Sequence, residues 1–296
     1  MSFVLRFVFP YARFFGGETG PAGLVEQNYL RRHVHPGSVV VDIGGGDGKL
    51  ANRIAETAGL VAILDREATS LEGADNSVYA GSLTRALRDR RYGHVIPIQG
   101  NAASLPFRDR SVDVIVSSQL LEHLDGPDKE RFFDECARCL KDLGILAIST
   151  PNADVIEGHD FWLSRLARTL IPRGLLPRLP VSMRGPWLEQ TVEEWEARVG
   201  HYDHGCRIAD LLRYSAGGGL EEIDRRCTHT RLTFFWLELA FTFPLLAMLA
   251  APVVRLAYAL EERAGPREGI NLLVTFQRPG PISIRPSPPR VEGTAP

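Results

Sequence analysis

Along residues 38–152 the chain alternates short apolar runs with stretches of helical spacing. Ser38–Ile43, Gly59–Leu64, Val95–Gln99, Val112–Ser117 and Ile145–Thr150 predict five strands. Leu24–His33, Lys49–Thr57, Ser82–Arg91 and Lys129–Leu140 predict helices before and between them. The runs VVVDI, VDVIVS and ILAIS are apolar almost throughout rather than at every second position, as expected of strands buried on both faces. Strands alternating with helices predict a parallel sheet wrapped by helices.

Beyond Pro151 the pattern changes. Residues 153–204 are rich in Arg, Pro, Trp and Leu without a clear strand, which predicts a helical lid or substrate insertion. Ile208–Tyr214 has helical spacing, and Leu220–Thr230 and Asn271–Gln277 predict a sixth and a seventh strand. Between these last two lies the strongly apolar stretch 232–260, interrupted by Glu238, Pro244 and Pro252. A spanning helix needs about 20 apolar residues with few charges. A run placed between two strands of one sheet must return to the side it left, so a helical hairpin or interfacial element is expected instead. The organisation is then an aromatic leader and helix (1–34), a core (35–152), a lid (153–204), the rest of the core with its insertion (205–278), and a Pro-rich, disordered tail (279–296).

Composition narrows the classes of function. A net charge of −2, from 34 basic and 36 acidic side chains, lacks the basic excess of a nucleic-acid binder. The local run Arg88, Arg90, Arg91 reads as a solvated face. Cys136 and Cys139 have C-x-x-C spacing but sit within a helix pattern, and no second pair completes a zinc site. They read as reduced thiols, in keeping with a cytoplasmic protein. The N-terminus, MSFVLRFVFPYARFF, is a poor signal peptide because Arg6 and Arg13 interrupt it. Residues 1–15 and 232–260 would together suit peripheral contact with the inner face of a membrane. An extra core or dimer contact and a pocket for a lipid-like substrate are the alternatives.

The first strand runs into Asp42-Ile-Gly-Gly-Gly-Asp-Gly48, a D-x-G-x-G-x-G loop that opens a helix at Lys49. Glycines permit tight turns and close ligand approach because no Cβ intervenes. Amides at a helix N-terminus can meet a ligand carboxylate. A dinucleotide fingerprint would need its third glycine at position 49, where Lys stands, so that reading fails. Asp65 ends the second strand, where an acid can accept both hydroxyls of a ribose.

These segments, with GNAASLPFRDRSVDVIVSSQLLEHL and CLKDLGILAISTPN, resemble the class I S-adenosylmethionine (SAM)-dependent methyltransferases, most closely the broad small-molecule group. The resemblance covers about residues 38–152, with the motifs in family order and spacing. It implies an α/β, Rossmann-like, seven-stranded sheet, mostly parallel with an antiparallel last strand and helices on both faces. It also implies SAM as donor and S-adenosylhomocysteine (SAH) as product. Asp42, Gly44, Gly45, Gly46 and Gly48 would form the SAM loop. Asp65 would hold the ribose, Arg66 would lie beside the adenine, Asn101 and Ala102 would contact its edge, and Gln119 would meet the methionine part. The family usually has Asp where this chain has Asn101, whose carbonyl can still accept from the adenine amino group. Its last two strands are usually joined by a short turn, whereas about forty residues intervene here.

Methyl transfer depends mainly on alignment, and an oxygen acceptor also benefits from a general base. Glu122 and His123, just past the fourth strand, are candidate bases or supports of the next helix. His204, with His201, stands where the lid rejoins the core. In some relatives an E-x-x-E-H segment binds a metal. Here Gln119 replaces the first acid, and no metal is assigned. The acceptor is expected to be a small molecule, hydrophobic or lipid-linked, with O- and N-methylation both open. The alternatives are a non-catalytic SAM- or SAH-binding protein and, less well supported, an NAD-dependent oxidoreductase.

Overall fold

The computed structural model describes residues 21–66, 92–156, 162–172, 174–180, 183–189, 191, 194 and 205–280. The aromatic leader, the helix expected at Ser82–Arg91, His201, His204 and the tail from 281 lie outside the described residues.

Seven strands form one sheet: β1 (Val39–Ile43), β2 (Leu60–Asp65), β3 (Val95–Gln99), β4 (Val112–Ser118), β5 (Leu140–Pro151), β6 (Glu221–Thr228) and β7 (Asn271–Gln277). Their order is β3-β2-β1-β4-β5-β7-β6, and β7 is antiparallel to both its neighbours. The expected topology is therefore observed. One face packs Leu50, Ile54, Val61, Val114 and Ala147 with Tyr29 and Leu30 of helix α1 (Pro21–Arg31). The other packs Ile115, Leu146 and Phe276 against helices α3 (Gly126–Cys139) and α5 (Ile208–Gly217). Helix α2 (Lys49–Ile54) follows the glycine loop, and α4 (Trp162–Leu170) lies beyond β5. Helices α6 (Arg231–Thr242), α7 (Pro244–Leu249) and α8 (Ala251–Ala264) fill the interval between β6 and β7.

Several boundaries differ from those expected. Helix α3 begins at Gly126 because Asp125 caps it, its Oδ1 accepting the Asp128 N–H at 2.8 Å, with Pro127 in the first turn. Strand β5 starts at Leu140, which pairs with Val112, and its register against β4 then shifts before Ile145. Strand β6 stops at Thr228 because His229 has φ +57°, which turns the chain into α6. Helix α2 ends at Ile54, three residues short of the expected Thr57. Asp113 holds the sheet together, accepting the Val39 N–H at 2.9 Å and pairing with Lys141 at 2.8 Å. All four cysteines are buried thiols outside any disulfide, and burial pushes the Cys136 thiol well up and that of Cys139 to about 11.

The apolar insertion is a three-helix excursion, broken near Pro244 and Pro252. Among the described residues no helix is long and apolar enough to cross a membrane. Its interior acids make specific bonds. Glu238 is buried and accepts the Ser164 N–H at the start of α4 at 2.9 Å, while Trp162 stacks on Phe235 with centroids 6.3 Å apart. Glu261 is buried and accepts the backbone N–H groups of His229 and Thr230, both at 3.0 Å, and the hydroxyls of Thr230 and Thr233. It thus ties α8 to the start of α6.

His229 is buried, with Nδ1 2.8 Å from the Tyr258 hydroxyl. Burial lowers its pKa from 6.5 to about 4, against an opposing pull from Glu261. The unfolded chain therefore binds this proton first on acidification. The stability contributed by neutral His229 is full above its unfolded pKa and is lost as pH falls through the interval toward 4. Urea unfolding of the wild type between pH 6.5 and 4 should show a steeper loss of stability than His229→Asn, by up to about one proton. Equal slopes would refute this assignment.

Candidate active site

The carboxyl ends of β1, β2, β4 and β5 lie side by side, because these strands are parallel and in close register. Ligands of open α/β sheets bind at this edge.

At its centre is the turn after β1. Gly44 donates its N–H to the Leu64 carbonyl at 2.7 Å, Gly48 to Gly45 O at 2.9 Å, and Gly46 to the Asp65 Oδ2 at 3.0 Å. A Cβ on Gly44 would lie 3.0 Å from Leu120, and one on Gly45 only 2.7 Å from the Asp42 carboxylate and 2.8 Å from Ile63. Asp42 is thus tucked beneath the loop. At Gly46 a Cβ would meet nothing closer than 4.0 Å, so the loop is open on its outer side. Gly46 has φ +52° and Gly48, which caps α2, φ 75°.

The other expected residues gather along the same edge. Asp65 ends β2, and Arg66 is exposed beside it, its carbonyl accepting from Gln99. Asn101 is exposed and its Oδ1 accepts the Ala103 N–H at 2.9 Å. That oxygen keeps a second lone pair for another donor. Ala102 is buried next to it. Gln119 follows β4 with φ +52°, a conformation uncommon for a residue with a side chain, and its N–H donates to Ser149 O at 3.0 Å. The two candidate bases diverge. Glu122 is buried and accepts the Thr150 hydroxyl at 3.1 Å, whereas His123 is exposed.

One residue at this edge carries no sequence motif. Glu26 of α1 is partly shielded from solvent, and its Oε1 accepts the hydroxyls of Ser118 at the end of β4 and Ser149 on β5, both at 2.5 Å. Burial raises its pKa, opposed by Ser118, Ser149 and Gln119. The only trace in the sequence is its place four residues before the fully buried Leu30, an acid on the inward side of an amphipathic helix.

The residues suit SAM. The glycines leave room for close approach, a carboxylate faces the loop where a ribose diol would bind, and backbone amides line the turn.

A family model described as "Methyltransferase domain" matches residues 41–148. A protein of Mycolicibacterium smegmatis, described as a probable S-adenosylmethionine-dependent methyltransferase, is 37% identical over 220 residues, covering 71% of this chain and 72% of that protein. A ubiquinone/menaquinone biosynthesis C-methyltransferase of Vibrio campbellii is 31% identical over 135 residues, 43% of this chain and 49% of its own. Among solved structures, an S-adenosylmethionine-dependent methyltransferase from Mesorhizobium loti shares the fold, with TM-score 0.54 and 19% identity over 88% of this chain and 100% of that one. The sheet order and its antiparallel last strand define a Rossmann-like α/β fold. The chain belongs to the SAM-dependent methyltransferases, and SAM is its methyl donor.

The two glycines should respond differently to a methyl group. Gly45→Ala forces a Cβ into Asp42 and Ile63 and should cost about 2 kcal/mol in urea unfolding. Gly46→Ala has room but keeps a left-handed backbone, and should cost about 1 kcal/mol. A larger loss at Gly46 than at Gly45 would contradict the loop geometry.

Proposed function

We propose that this methyltransferase modifies a small hydrophobic or lipid-linked acceptor, reached at a membrane surface. The observation that carries the reading is a stripe of exposed apolar side chains on the insertion beside the catalytic edge. Leu245, Leu246, Leu249, Val253, Leu256 and Leu260 recur at helical spacing along α7 and α8, with Leu249 74% exposed. An apolar face of this kind is unusual for a surface that meets only water. The insertion leaves the sheet after β6 and returns at β7, beside Pro151 at the end of β5, so its base adjoins the edge where ligands bind. Exposed Arg255 and Arg263 on α8 would suit anionic headgroups. The Vibrio relative's name, which points to quinone biosynthesis, fits an acceptor of this class.

In this reading Asp42, Gly44, Gly45, Gly46 and Gly48 shape the donor cradle. Asp65 accepts the ribose hydroxyls, and Arg66, Asn101 and Ala102 border the adenine. Gln119 meets the methionine part, and residues 153–204 act as a lid. Bound SAM supplies a methyl group activated on a sulfonium. The protein aligns donor with acceptor and excludes water, and such positioning can supply much of the rate. If the acceptor must lose a proton, His123, which is exposed, is better placed to meet it than the buried Glu122.

Labelled SAM incubated with the enzyme and fractionated cell extract should place label in the organic-soluble fraction, and the protein should sediment with anionic vesicles. Leu249→Asp combined with Leu256→Asp should abolish sedimentation. Label confined to water-soluble products, with the protein remaining in the supernatant at low salt, would overturn the proposal.

A further inference from the structure

We propose that Glu26 recognises the amino group of the donor's methionine part, so that α1, outside the strand–helix core, completes the donor site. The inference rests on the donor cradle described above and adds to it a residue from a separate element.

Four observations support it. Ser118 and Ser149, which hold the Glu26 carboxyl, are register partners at the carboxyl ends of β4 and β5. Gln119 follows Ser118, and Leu120 lies against Gly44, so this cluster borders the glycine loop. Both serine hydroxyls donate to Oε1, and a carboxylate can accept further donors at Oε2. The neighbouring acids have other positions: Asp42 lies beneath Gly45, Asp65 accepts from Gly46, and Glu122 accepts from Thr150.

An ammonium needs an anionic or strongly accepting partner, and the SAM methionine part carries one. Among the described residues, the groups facing Glu26 are the hydroxyls of Ser118 and Ser149 on β4 and β5 and the amide of Gln119 just after β4. Burial outweighs these bonds and raises the Glu26 pKa, which favours the protonated carboxyl when no cation is present. A bound ammonium favours the ionised form. Binding therefore expels a proton, and affinity rises with pH until free Glu26 is ionised.

Calorimetric titration of the full chain with SAH between about pH 5 and pH 7, where the ligand's own amino group stays charged, tests this. A parallel titration uses 5′-methylthioadenosine, which has the same adenosine but no amino-acid portion. Wild-type affinity for SAH should rise across the interval. Glu26→Gln should bind SAH about tenfold to a hundredfold more weakly and without that rise, while its affinity for methylthioadenosine matches the wild type. Glu26→Asp should restore part of the pH dependence. SAH binding by a folded Glu26→Gln equal to the wild type overturns the inference, as does an equal loss for both ligands. A wild type that binds neither ligand overturns the donor cradle itself.

Discussion

The turn after β1 is the constraint on which the site depends. Here the backbone must reverse within a few residues, under the end of β4 and over its own acid. At Gly44 the neighbour is Leu120, and at Gly45 it is the Asp42 carboxylate, so a side chain at either position would crowd these groups and force them to shift. The Gly46 N–H then reaches the Asp65 carboxylate and fixes β2's last residue against the loop. Parallel register aligns the ends of β1, β2 and β4, so a single tight turn sets the spacing of the residues proposed to hold the donor.

The insertion obeys a different constraint. Its acids would be costly in an apolar hairpin unless they were hydrogen-bonded. Glu238 is satisfied by the first turn of α4, and Glu261 by four donors at the start of α6. The insertion is thereby tied to α4 on one flank and to the end of β6 on the other. Val25 of α1 packs among Ala240, Ala247, Val254 and Tyr258, and Asn28 bonds Glu262 at 3.0 Å. The same helix carries Glu26 to the ends of β4 and β5. Insertion, N-terminal helix and the carboxyl edge of the sheet thus form one connected body, with the apolar stripe of α7 and α8 exposed.

Much of the core was legible because its strands are buried on both faces and so appear as unbroken apolar runs. All seven strands lie where the pattern places them, to within a few residues, and β7 is antiparallel as the family resemblance implies. The errors occur where a single local bond decides a boundary, as with the Asp125 cap and the positive φ of His229. The glycine loop was legible because its chemistry is local. Glu26 was not, because its meaning depends on contacts 92 and 123 residues away in sequence. The inward turn of Glu122 was equally hidden, since it depends on Thr150 of the neighbouring strand.

The most direct test of the account is a calorimetric titration of SAH into the wild type and into Asp65→Ala at neutral pH. The account predicts micromolar binding by the wild type and its loss in a variant that remains folded. A folded wild type that does not bind SAH, or an Asp65→Ala protein that binds it unchanged, would contradict the proposed donor site.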